Sequence, residues 1–177
     1  MNEGKLLNRA NAKLIPSVFT LANLLFGLMS LVFTMDGKYH FSAYTILLSV
    51  VLDGMDGKVA RRLDASSSFG KELDSLADLV SFGVAPAILV YAQFLHAAFG
   101  NFGLATAIIF TLCGAVRLAR FNVMNISTHF IGVPITVAGG LLGLFVLMGH
   151  FLPPLFYMVV MLILAILMVS RITVPKY

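Results

Sequence analysis

The sequence predicts an all-α integral membrane protein, and three observations predict it. Of 177 residues, 59% are apolar and mean hydropathy is +0.96. Only 11% are charged, against about 25% in soluble domains, so no polar coat remains to cover a water-soluble surface. The apolar stretches are long enough for helices crossing a hydrocarbon core of about 20 residues, and too long for barrel strands. Only short polar breaks separate them, with no soluble domain, linker or low-complexity tract, so one membrane domain over 1–177 is expected.

The first element is basic. Lys5, Arg9 and Lys13 recur every four positions, with Leu6, Leu7, Ala10 and Leu14 mostly on the other side. That is the pattern of a short interfacial helix (1–13) on an anionic leaflet, although a disordered basic tail fits the same residues. Six spans are expected after it, at 14–35, 41–60, 71–95, 102–120, 130–149 and 153–170. The breaks are DGKYH, RRLDASSSF, HAAFGN, RFNVMNISTH and HFLPP.

Charge fixes the orientation. Lys5, Arg9 and Lys13, then Lys58, Arg61, Arg62 and Lys71, then Arg117 and Arg120, then Arg171 and Lys176 all fall on one side, with Lys38 on the other. The positive-inside rule places both termini and the loop after the second span in the cytoplasm. A multi-pass protein of the cell (plasma) membrane is expected, its partner the lipid bilayer and not nucleic acid. No charged n-region with a cleavage site marks a signal peptide. Cys113 lies alone within a span and reads as a small core residue. His40, His96, His129 and His150 sit near span ends without metal-ligand spacing.

The chemistry lies in "LDGMDGKVARRLDASSSFGKELDSLADLVSF", Leu52 to Phe82. Asp74 and Asp78 are i and i+4, about 40° apart on a helix, and Asp53 and Asp56 are i and i+3, about 60° apart. Each pair shares a face, and the short loop joining two antiparallel helices lets all four carboxylates converge near the interface. Such carboxylates repel one another, and each costs roughly 2.5–3.5 kcal/mol mid-membrane. Two divalent cations would balance four negative charges. All-oxygen ligands favour hard ions, Mg²⁺, Mn²⁺ or Ca²⁺, over Zn²⁺. Gly54, Gly57 and Gly70 remove side-chain bulk where a ligand or backbone approaches. Arg61 offers planar donors to a phosphate, and Ser66, Ser67 and Ser68 offer hydroxyls. Together these suit a pyrophosphate and an in-line displacement at phosphorus between two metals.

Asp53, Asp56, Gly57, Ala60, Arg61, Gly70, Asp74 and Asp78 match every fixed position of D-x2-D-G-x2-A-R-x8-G-x3-D-x3-D. The stretch resembles the signature of the CDP-alcohol phosphotransferase superfamily. Thr20, Asn23 and Gly27, "SFGVAPA" (81–87), "RLARFN" (117–122), "FIGVPITVAGG" (130–140) and "LMVSRITVPKY" resemble its membrane-embedded phosphatidylserine synthase branch. The resemblance implies attack of an alcohol on the lipid-borne phosphate of CDP-diacylglycerol, with loss of CMP. It implies that Asp53, Asp56, Asp74 and Asp78 hold two divalent cations, Mg²⁺ or Mn²⁺, and that Asp78 also acts as base. Thr20, Asn23, Gly57, Arg61, Ser67 and Gly70 would contact CDP-diacylglycerol.

Arg117 and Arg120, i and i+3, form a donor face that could receive the carboxylate of L-serine, although anchoring in the interface would explain either alone. A homodimer is implied as well. Small residues in spans 3 to 5, including Gly83, Ala85, Gly114, Ala115, Ala138 and Gly139, permit close helix approach. Two alternatives stay open: a sibling enzyme using glycerol phosphate or inositol (phosphate), and a cation or proton transporter. Transport would put carboxylates near the midplane of broken, repeated helices, and no internal repeat is visible.

Overall fold

The computed structural model describes residues 3–63, 68–124, 130–170 and 173–174, and side chains within 17–55, 68–123, 132–149 and 151–170. The described chain is helical except for turns and one short β pair. We label the helices α1 (Glu3–Met35), α2 (Tyr39–Leu63), α3 (Ser68–Phe99), α4 (Asn101–Met124), α5 (Ile135–Leu147) and α6 (Pro154–Val169). Ser17–Met35 of α1, all of α3, and Asn101–Val123 of α4 are long and apolar enough to cross a membrane.

Four details differ from the sequence-based expectation. The basic residues at the start of the chain belong to α1 itself, because the helix runs unbroken from Glu3. The fifth helix starts at Ile135 instead of 130. Pro134 lacks an amide donor and biases its predecessor away from helical geometry, which favours a helix that begins at this point. Phe130–Ile131 instead pairs antiparallel with Thr173–Val174. Finally, α5 and α6 have 13 and 16 residues, which makes them roughly 20 and 24 Å long at 1.5 Å per residue.

α1 and α2 form a hairpin around Asp36-Gly37-Lys38, where Gly37 takes φ 72°. Lys38 pairs with Asp36 at 3.1 Å on that turn. Inside the hairpin the hydroxyls of Ser30, Thr34 and Ser42 satisfy one another, with Ser30–Ser42 and Thr34–Ser42 both at 2.8 Å. An apolar interior makes unpaired hydroxyls costly, so the three form one network.

α3 widens to π geometry over Leu79–Val84 and again over Tyr91–Leu95. Each π turn adds a residue to the turn and so rotates the face on which later side chains lie. The first begins directly after Asp78. It lets Phe82 face inward with no exposure while its backbone lies against α5.

Close approach depends on glycine. A Cβ at Gly139 would stand 2.5 Å from the Phe82 carbonyl oxygen, and one at Gly114 would strike Ile135 Cδ1 at 2.6 Å. Gly114 and Gly139, two of the small residues noted in the sequence, are therefore used between the protein's own helices. At the far end from the aspartates, Phe94 stacks on Tyr157 with centroids 3.9 Å apart, and Tyr157 donates to the Phe145 carbonyl at 2.9 Å. Cys113 packs beside this core.

Candidate metal and phosphate site

Asp53 comes from α2, and Asp74 and Asp78 come from the first turns of α3. One carboxylate oxygen from each lies within 4.8 Å of the other two. The helical spacing places Asp74 and Asp78 on one face, and packing of α2 and α3 against α1 brings Asp53 to meet them. Asp78 is buried; the other two are half-buried. Asp56 belongs to α2, but its side chain lies outside the described residues, as do those of Gly57 and Arg61 and the whole of Ser67.

Three ionised carboxylates at this separation repel by about 3–4 kcal/mol per pair at an effective dielectric near 20. The donor set is all oxygen, so it favours a hard divalent cation over zinc. Among the described residues, nothing lies within 4 Å of a notional Cβ on Gly54.

Asn23 sits beneath the cluster with no exposure. Its Nδ2 donates to Asp78 Oδ1 at 3.4 Å, while its Oδ1 is buried without a hydrogen-bond partner among the described residues. The Asn23 carbonyl accepts from Ser81 Oγ at 3.0 Å and from Ser49 Oγ at 3.3 Å. α1 is thereby bonded to both aspartate-bearing helices. One turn along, a Cβ on Gly27 would collide with the Ser81 side chain and backbone. Thr20, a turn earlier, is 4% exposed. Gly70 lies one turn before Asp74 and is half-buried.

The two arginines have separate surroundings. Arg120 is exposed and donates from Nη1 to the Val169 carbonyl at 2.9 Å, closing the end of α6. Arg117 is half-buried, lies within electrostatic reach of Asp78, and its Nε is buried without a hydrogen-bond partner among the described residues. Of the pair, Arg117 is the one within electrostatic reach of Asp78.

Sequence reasoning missed Thr136, whose Oγ1 donates to Asp53 Oδ2 at 3.3 Å. Its signal was a hydroxyl just after Pro134 at a helix start, which reads as an ordinary first-turn residue. It also missed the roles of Ser49 and Ser81. A polar clamp joins α3 to α4 beside Asp74: Asn122 Nδ2 donates to Ser75 Oγ at 3.0 Å and Glu72 Oε2 at 3.2 Å, and Lys71 Nζ donates to the Asn122 carbonyl at 3.3 Å.

Residues 13–172 match a family model described as CDP-alcohol phosphatidyltransferase. The chain is 37% identical over 173 residues to a CDP-diacylglycerol–serine O-phosphatidyltransferase of Helicobacter pylori, covering 93% of this chain and 73% of the relative. It is 42% identical over 165 residues to a protein of the same name from Methanocaldococcus jannaschii, covering 92% and 74%. To an archaetidylserine synthase of Methanothermobacter thermautotrophicus it is 37% identical over 166 residues, covering 92% and 70%.

Proposed function

This chain belongs to the CDP-alcohol phosphatidyltransferase family, and we propose that it transfers the phosphatidyl group of CDP-diacylglycerol to the hydroxyl of L-serine, giving phosphatidylserine and CMP. The observation that carries this reading is the convergence of Asp53, Asp74 and Asp78 within 4.8 Å, at the motif positions of the family. The relatives' serine-transferase names support the choice of acceptor.

The family depends on divalent metal, and the donor set fits one. Asp53, Asp56 and Asp74, with Asp78, would hold two ions, Mg²⁺ or Mn²⁺. When bound, such ions neutralise the carboxylates and stabilise charge developing on phosphate oxygens. The serine hydroxyl oxygen attacks the phosphorus of the phosphatidyl group, the new O–P bond forms as the P–O bond to CMP breaks, and CMP departs with the bridging oxygen. Asp78 takes the hydroxyl proton. Its carboxylate is buried and steadied by the Asn23 amide, a placement suited to a general base. Arg117 receives the serine carboxylate beside it, with Arg120 assigned to the same acceptor region. Gly57, Arg61, Ser67 and Gly70 line the CDP-diacylglycerol side, with the buried Thr20 and Asn23 of α1 supporting it from within the bundle.

The whole chain forms one such domain, with six spans, both termini and the site on the cytoplasmic side of the plasma membrane. The charge asymmetry of the loops supports that orientation. At that depth the lipid's phosphates reach the carboxylates while its acyl chains stay in the bilayer. The protein works as a homodimer, a reading that rests on the family resemblance alone.

Purified protein, CDP-diacylglycerol, a divalent salt and a panel of alcohols test the reading through CMP release. Serine is expected to be the acceptor, and ethanolamine, which lacks the carboxylate, a poor one. Arg117→Lys should raise the KM for serine far more than that for CDP-diacylglycerol, because Lys cannot reproduce a bidentate contact. Arg120→Lys should raise it less. Glycerol phosphate or inositol outpacing serine would reassign the acceptor.

A further inference from the structure

We propose that Thr136 is a positioning residue for Asp53, set in place by the loop that α6 anchors; this rests on the reading of the carboxylates as a divalent-cation site. Thr136 lies in the first turn of α5 and donates its hydroxyl to Asp53 Oδ2 at 3.3 Å. A carboxylate with one oxygen so engaged loses rotational freedom about its last bond. Its remaining acceptor capacity then stays directed toward Asp74 and Asp78, which lie within 4.8 Å.

The start of α5 is itself fixed. Gly132 takes φ 73°, and a Cβ there would stand 2.6 Å from the Met168 carbonyl oxygen, so the loop lies flat on the end of α6. Val133 N–H donates to the Leu167 carbonyl at 3.3 Å. Two residues further along α6, the Val169 carbonyl is held by Arg120. On the other side, Gly139 presses α5 onto the Phe82 backbone. Contacts on both sides of α5 thus fix the height and rotation at which Thr136 meets Asp53. Partners that orient a metal ligand typically alter metal affinity or activity by about 10–100-fold when removed.

The test is direct Mn²⁺ binding, measured without substrate as free Mn²⁺ by electron paramagnetic resonance, on the full chain in detergent. Thr136→Val keeps the branched shape and removes the hydroxyl; Thr136→Ser keeps the hydroxyl. The valine variant should bind Mn²⁺ about ten-fold more weakly with an unchanged thermal midpoint, and the serine variant should bind as the parent does. Equal Mn²⁺ affinity in parent and Thr136→Val would overturn the inference, as would Thr136→Ser binding as weakly as Thr136→Val. A parent that binds no Mn²⁺ would instead overturn the metal reading, and this inference with it.

Discussion

At one end of the bundle Phe94 lies flat against Tyr157 and Phe156 meets Phe145 edge-on, and Ile46, Leu142 and Val146 of the same apolar core have no exposure. Roughly 24 Å away along α3, at 1.5 Å per residue, neighbouring helices meet through Asn23, Ser49, Ser81, Thr136 and three aspartates. The aromatic end is closed by shape, and its polar contact, Tyr157 to the Phe145 carbonyl, is satisfied. The aspartate end holds like charges together and leaves Asn23 Oδ1 and Arg117 Nε buried without partners among the described residues. An unsatisfied buried polar group costs about 1–3 kcal/mol, so this end is less stable than its packing alone would make it. The aromatic end also leaves one such atom, Gln93 Oε1, without a partner among the described residues, but it gathers no like charges, and its ring stack holds the same helices together.

If that division is right, substitutions at the two ends should separate activity from stability. The largest effect is expected from Asp78→Asn, which keeps the shape but cannot accept the serine proton. Turnover of the bound complex should fall about 10²–10⁴-fold, with a thermal midpoint equal to or above the parent's, because one like charge is gone. A collapse of CDP-diacylglycerol binding with turnover of the bound complex preserved would remove Asp78 from the role of base. The smallest effect is expected from Tyr157→Phe. It deletes one hydrogen bond worth about 0.5–1.5 kcal/mol and leaves the ring stack in place. Thermal unfolding in detergent should shift down slightly, with kcat unchanged. A large loss of activity from this substitution would mean that the two ends are coupled.

Much of this was legible in the sequence. Hydropathy located the helical segments, and the i, i+4 spacing of Asp74 and Asp78 with the short connection from α2 anticipated their meeting with Asp53; the i, i+3 partner Asp56 lies outside the described side chains. Pattern failed where a contact joins residues distant in sequence. Thr136 meets Asp53 across 83 positions, and Ser81 reaches the Asn23 carbonyl across 58. Periodicity has no access to such pairings. The late start of α5 was signalled by Gly132 and Pro134, but the apolar run through them outweighed that signal. The π turns of α3 were not anticipated, because hydropathy and i, i+3, i+4 spacing do not distinguish a π turn from an α turn. Arg117 and Arg120 look equivalent at i and i+3, and only packing distinguishes them: one is half-buried within electrostatic reach of Asp78 and the other closes α6.

The most direct test of the central claim, that these carboxylates form a divalent-cation site for phosphatidyl transfer, is CMP release by the purified protein in excess chelator. With CDP-diacylglycerol and serine saturating, release should stop and should return when Mg²⁺ or Mn²⁺ is added beyond the chelator, while Asp53→Asn stays nearly inactive at every ion concentration. Undiminished CMP release in excess chelator would contradict the account.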